Sequence, residues 1–159
     1  LLGNEGEAAD VIEYQVGRAI SALCGEAVGV MEVACDLTLD YLKQRKQFGV
    51  PIGKFQVLQH RMADMMSELE QARSMAILAA SVADESQSDE RRRVIAAAKN
   101  VISRSAQFIS EKGVQSHGGI GMTWEYNFAH YAKRLVMINH QLGDDDFHLE
   151  RYAALLEAN

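Results

Sequence analysis

The chain has 159 residues, 48% of them hydrophobic, which is enough for one domain with a core. Its net charge of −6, with no basic stripe to outweigh it, argues against a nucleic-acid partner, and no apolar run approaches the length of a membrane span. The opening "LLGNEGEAAD" has neither a basic n-region, an apolar h-region nor an initiator methionine, so the sequence reads as a piece of a longer, cytoplasmic protein.

Helical periodicity runs through almost the whole chain, and the alternation expected of strands is missing. From Ala8 to Gln44 apolar residues recur at three and four: Val16, Ile20, Leu23, Ala27, Val30, Val33, Leu37 and Tyr41. Cys24 and Cys35 lie in this stretch about three turns apart, roughly 16 Å along a helix axis. That is too far for a disulfide and reads as a pair of reduced core thiols. "FGVPIG" then breaks the chain with Gly49, Gly53 and its single proline, Pro51.

A second helix is expected from about Lys54 to Asp84, with Leu58, Met62, Met65, Leu69, Ala72 and Ala76 on one stripe. Its methionines are read as ordinary core filling. Polar "DESQSDE" makes a tight antiparallel turn into a third helix, from Glu90 to about Val114. Arg91, Arg92 and Arg93 follow acidic residues at its start and read as a solvated face. "YNFAHYAKRLVMINHQL" resumes the period, and a short last helix begins near Asp146. Long helices with short loops bury their stripes best as an up-and-down four-helix bundle, here with a short extra C-terminal helix. The fold class is therefore all-α, in a single domain over residues 1–159.

Two corners carry the residues with chemical interest. In "YLKQRKQFGVPIGKFQVLQH", Lys43, Arg45 and Lys46 crowd the end of the first helix, where cations complement the dipole. Phe48, Gln56 and Gln59 stand around the same corner, and a guanidinium, an aromatic plane and amides could also seat a nucleotide. In "QSHGGIGMTWEY", the glycines end a helix and bare the backbone, either as a plain corner or so that a ligand can reach the amides. The spacing is not a dinucleotide fingerprint, and no strand precedes it. No Glu-x-x-His pair supports a metal centre, and no G-x-S-x-G supports a serine nucleophile.

Taken jointly, these two stretches resemble the signature segments of the C-terminal helical domain of the acyl-CoA dehydrogenases, flavoenzymes that desaturate acyl-CoA thioesters. The resemblance covers nearly the whole chain, from "LLGNEGEAAD" to "HLERYAALL". Within the family, "GNEGEAADVIEY" and "GDDDFHLERYA" are most similar to the small-subunit branch of the pimeloyl-CoA dehydrogenases. The resemblance implies FAD at a subunit interface, with Arg45, Gln47 and Phe48 against its pyrophosphate and adenine portion. Phe55 and Gln56 would stand alongside, and Gln115, Gly118 and Gly119 would run beside the same dinucleotide. It further implies an acyl-CoA substrate, a homo- or hetero-oligomer (dimer or tetramer) and an electron-acceptor protein. The chain would be the last of three domains and inactive alone.

The sequence departs from the family at the base. A carboxylate must take the α-proton of the thioester, and family members place a glutamate at one of two positions. Here those positions hold Leu142 and Ala19. Asp144, within the run Asp144–Asp146, is the nearest candidate, and an N-cap is its other reading. A partner subunit that supplies the base, with this chain supporting flavin, is the competing assembly.

Overall fold

The computed structural model describes residues 6–157, so the opening "LLGNE" used above lies outside the described residues. Five helices follow one another: α1 (Ala9–Gln44), α2 (Gln56–Val82), α3 (Asp89–His117), α4 (Phe128–His140) and α5 (Asp145–Glu157). The expected bundle with an added C-terminal helix is what forms. α1 and α3 are the central pair, each packed on both α2 and α4, and α5 lies on α3. Two-residue strands, β1 (Lys46–Gln47) and β2 (Val50–Pro51), pair antiparallel between α1 and α2.

Local chemistry sets the helix ends. Ser88 caps α3, its hydroxyl accepting the Arg91 N–H at 3.1 Å, with Asp89 and Glu90 in the positive first turn. α3 runs three residues past the expected Val114, because Gly118 takes φ +67° and closes the helix there. α2 starts at Gln56 because Ile52–Lys54 is spent on a 3-10 turn. The last helix begins one residue earlier than expected, directly behind Asp144.

The core follows most of the predicted stripes: Ile20, Leu23 and Ala27 from α1, joined by Met31, meet Met65 and Leu69 of α2, with Ile102 and Ile109 of α3 and Leu135 of α4. Cys24 and Cys35 are buried free thiols, and burial pushes their pKa values up to about 11 and about 12. Three expectations fail. Met66, read with the other methionines of α2 as core filling, is 41% exposed. Val33 sits on the edge of its stripe and is 36% exposed, since the buried line runs through Met31, Ala34 and Cys35. Arg91 is not on a solvated face: it is 1% exposed. The residues four, seven and eleven positions further on, Ile95, Ala98 and Ile102, are all buried, so Arg91 continues the core stripe of α3 into the first turn.

Gly113 and Gly29 make the packing testable. A Cβ on Gly113 would lie 2.2 Å from Cζ of fully buried Phe128, whereas a Cβ on Gly29 meets nothing within 4 Å. Glycine to alanine within a helix gains about 0.8–1 kcal/mol, while overpacking a core costs about 1–3 kcal/mol. Gly29→Ala should therefore raise the thermal midpoint of the chain, and Gly113→Ala should lower it. Two shifts of the same sign would refute this packing of α3 against α4.

Candidate functional site

The first corner begins where α1 stops. Arg45 leaves the helix in an extended conformation, its N–H still bonded to the Tyr41 carbonyl and its own carbonyl accepting from Ile52 N at 2.8 Å. The chain then reverses through Phe48 (φ +53°) and Gly49 (φ +79°). Two consecutive positive φ values are what a tight two-residue hairpin demands, and for a bulky residue such as Phe48 they are unfavourable. The hairpin holds Phe48 90% exposed, its ring 6.0 Å from Phe55 and edge-on to it. Among the described residues the Arg45 guanidinium makes no hydrogen bond or ion pair. Gln59 is committed to the fold, donating to the Gly53 carbonyl at 2.9 Å, while Gln47 and Gln56 face solvent.

The second corner ends α3. Gln115, Gly118 and Gly119 are exposed, and a Cβ on either glycine would meet nothing within 4 Å. Gly121 differs: a Cβ there would stand 2.8 Å from His117 Cβ, so this glycine is required by packing. Residues Gly118–Met122 form a 3-10 turn that carries bare backbone along the surface.

Packed rings join the corners. His117 lies 4.6 Å from Tyr41, 5.2 Å from Tyr126 and 4.3 Å from Phe128, centroid to centroid. Its Nδ1 is 2.8 Å from the Gly113 carbonyl, and burial lowers its pKa. Tyr41 is four residues before Arg45 and His117 one before Gly118, so this contact brings both signature stretches to one end of the bundle.

Elsewhere, a groove of about 530 Å³ is lined by Ala19, Ala22, Leu23, Glu26, Arg134, Gln141 and Leu142. It gathers both positions where the family resemblance expected a glutamate, and both are apolar. The groove's carboxylate, Glu26, is held in a fork by Arg134 at 2.6 and 2.8 Å, which keeps its pKa low. Asp144 does not line this groove; its Oδ1 accepts the Phe147 N–H at 2.9 Å and so caps α5.

The loop carrying Leu142 (φ +59°) and Gly143 (φ +96°) is fixed from beneath. Lys99, fully buried, points Nζ at the carbonyls of Ile138, Asn139 and Gly143 and at Ser103 Oγ, all within 2.9–3.0 Å. His148, 1% exposed, donates from Nε2 to the Leu142 carbonyl at 2.9 Å. Burial lowers the pKa of both. Sequence reasoning passed over Lys99, although it stands between the stripe residues Ala98 and Ile102. Among the described residues no group of three or more His, Cys, Asp or Glu side chains could hold a metal ion, and no helix is long and apolar enough to cross a membrane.

A bundle of this topology with this pair of corners defines the carboxy-terminal domain of an acyl-CoA dehydrogenase, and the family's sequence model, acyl-CoA dehydrogenase C-terminal domain, matches residues 9–156. The chain belongs to that family. It is 38% identical over 112 residues to the acyl-CoA dehydrogenase IpdE2 of Mycolicibacterium smegmatis, covering 70% of this chain and 34% of the relative. Butyryl-CoA dehydrogenase from Megasphaera elsdenii superimposes with a TM-score of 0.89 at 28% identity, covering 98% of this chain and 40% of that one. The structure described as PigA with FAD and proline does so with a TM-score of 0.78 at 31% identity, over 87% of this chain and 36% of its own. The chain thus spans about a third of the length of the curated relatives it matches, 34% of IpdE2 for example.

The two buried histidines set a pH dependence. Burial holds their folded pKa values below the ordinary 6.5 of a histidine, so between that value and their folded pKa values the unfolded chain binds more protons. Stability must then fall as pH descends through that window, and level off below it. Urea midpoints should decline on acidification below 6.5, and His148→Gln should remove part of that slope. An unchanged slope in the variant would mean that His148 is not buried in its neutral form.

Proposed function

We propose that this chain is the last of three domains of an FAD-dependent acyl-CoA dehydrogenase, and that it holds part of the FAD at a subunit interface. The observation that carries this reading is the convergence of the two corners through Tyr41 and His117. Arg45 offers an uncommitted guanidinium suited to a pyrophosphate. Phe48, Phe55, Gln47 and Gln56 offer an aromatic face and amides, and Gln115, Gly118 and Gly119 offer a side-chain amide and open backbone. All eight residues are exposed on the chain, as an interface wall requires. Bound FAD would accept the hydride from the acyl β-carbon.

The substrate is an acyl-CoA thioester, and an electron-acceptor protein reoxidises the complex. The pimeloyl-CoA likeness makes a dicarboxylic acyl chain the substrate class to try first. The buried free thiols Cys24 and Cys35 suit a cytoplasmic location. A carboxylate must take the α-proton. Asp144 is this chain's own candidate, but its Oδ1 is engaged in capping α5, and both family positions at the groove are apolar. That supports the second assembly, a heteromer in which a partner subunit supplies the base and this one supports flavin.

Two substitutions in the full-length protein, purified with any partner subunit, test these readings. Arg45→Ala should weaken FAD retention more than it lowers apoprotein stability. A charge-assisted phosphate bond contributes about 1.5–3 kcal/mol, a helix-end cation about 0.3–1 kcal/mol. Equal losses would reduce Arg45 to a helix cap. Asp144→Asn keeps a cap, since asparagine caps about as well as aspartate. If a partner supplies the base, turnover and exchange of the substrate α-hydrogen with solvent should stay near normal. A fall of roughly 10²–10⁴-fold in both would instead make Asp144 the base.

A further inference from the structure

Arg91 is a buried cation without a counter-charge. Its Nη1 donates to Gln87 Oε1 at 2.7 Å, and its Nη2 donates to the carbonyls of Tyr14 and Ala83 at 3.1 and 2.9 Å. The Tyr14 ring lies 4.4 Å from its guanidinium carbon. Every one of these partners is neutral, although buried charges are ordinarily paired. The carboxylate nearby, Glu13, is spent on others: Oε2 accepts from Arg92 Nε and Nη2 at 3.1 and 2.9 Å and from Gln87 at 2.9 Å, and Oε1 accepts from Arg151. Arg92 also holds Asp89 at the surface, at 2.9 Å.

Two atoms in this region, Arg91 Nε and His148 Nδ1, are buried without a protein partner. Both residues line one cavity of about 20 Å³, together with Glu13, Gly17, Arg92 and Arg151. Room for one water takes about 10–15 Å³, so the space suits a single water or a monatomic ion and is too small for sulfate or phosphate. Three guanidinium groups against one carboxylate leave the lining positive.

The tautomer decides what fits. His148 Nε2 faces the Leu142 carbonyl, which only accepts, so Nε2 carries the proton and the neutral ring presents a bare lone pair at Nδ1. A donor at Arg91 and an acceptor at His148 suit one water. Protonation makes Nδ1 a second donor, and two donors in a positive lining suit an anion. Lys99 from α3 and Arg151 from α5 oppose that protonation, and Asp144 from the preceding loop favours it.

We propose that this cavity is a proton-coupled halide site, which takes one chloride-sized anion on Arg91 Nε–H and His148 Nδ1–H when His148 is protonated, and one water when it is neutral. Thermal midpoints of the full-length protein test this, measured on each side of pH 6.5 in sodium chloride, sodium bromide and sodium gluconate of equal ionic strength. Gluconate is too large to enter. At acid pH the halides should raise the midpoint by about 2–4 °C over gluconate, and at alkaline pH the three salts should agree. His148→Gln should abolish the halide difference. Bromide-soaked crystals at acid pH should show an anomalous peak in the cavity, absent at alkaline pH. Equal midpoints in halide and gluconate at both pH values, or an acid-pH crystal with no bromide in the cavity, would overturn the site. A halide effect that persists at alkaline pH and in His148→Gln would overturn the proton coupling.

Discussion

The arrangement of this domain depends on polar groups buried along α3. That helix touches every other helix, and its N-terminal half buries two cations, Arg91 and Lys99, where apolar residues would pack more cheaply. Each ties distant segments together. Arg91 binds the carbonyls of Tyr14 at the start of α1 and Ala83 at the end of α2. Lys99 binds three carbonyls of the segment from Ile138 to Gly143. The last four carbonyls of a helix have no partner within it. An ammonium beneath the end of α4 binds two of these, at Asn139 and, beside the Gln141 N–H, at Ile138, and fixes the course of the chain into α5. A leucine at either position would fill the volume but withdraw those donors.

The opposite end of α3 is built differently. His117 is a flat, neutral spacer between Tyr41, Tyr126 and Phe128, and burial favours that uncharged form. Rings can be stacked closely without a partner for every atom, so the two corners approach each other while their outer faces stay uncommitted. Rigid support beneath and open groups above is the arrangement a recognition surface needs. Phe48 is exposed and strained on that outer face: its positive φ is held by a hairpin whose strands supply only two residues each.

Apolar periodicity made the helices legible, because each stripe had to reach the same core, and local turns and caps moved several boundaries by a few residues. Gly118 carried α3 past Val114, and the 3-10 turn at Ile52–Lys54 delayed α2. Residue type, not periodicity, misled at Arg91. Charge type suggested solvent, while position, four residues before Ile95 and seven before Ala98, assigned it to the buried stripe. Position prevailed because neutral acceptors from α1 and α2 could solvate the guanidinium, and a single chain cannot reveal those partners. Lys99 and His148 escaped notice for the same reason: their acceptors, the carbonyls of the α4–α5 connection, depend on tertiary geometry. The two corners were legible as motifs, and it is the ring contact between Tyr41 and His117 that explains why stretches some seventy residues apart in the sequence belong together.

The acid–base chemistry shows the limit of reading a site from composition. Three consecutive aspartates look like a reservoir of bases, yet Asp144 accepts a backbone N–H and Asp145 is bound through its main chain to Asn100 and Asn139. The groove that joins Ala19 to Leu142 holds a carboxylate in Glu26, but Arg134 grips both its oxygens and holds its pKa low, which makes it a poor proton acceptor. A base needs a carboxylate whose charge is not already compensated. Asp144 and Glu26 thus each have structural work of their own, while the free donors, Arg45 and the bare backbone at Gly118, point outward. The carboxylates nearest the groove are therefore compensated groups, and the open donors lie at the other end of the bundle.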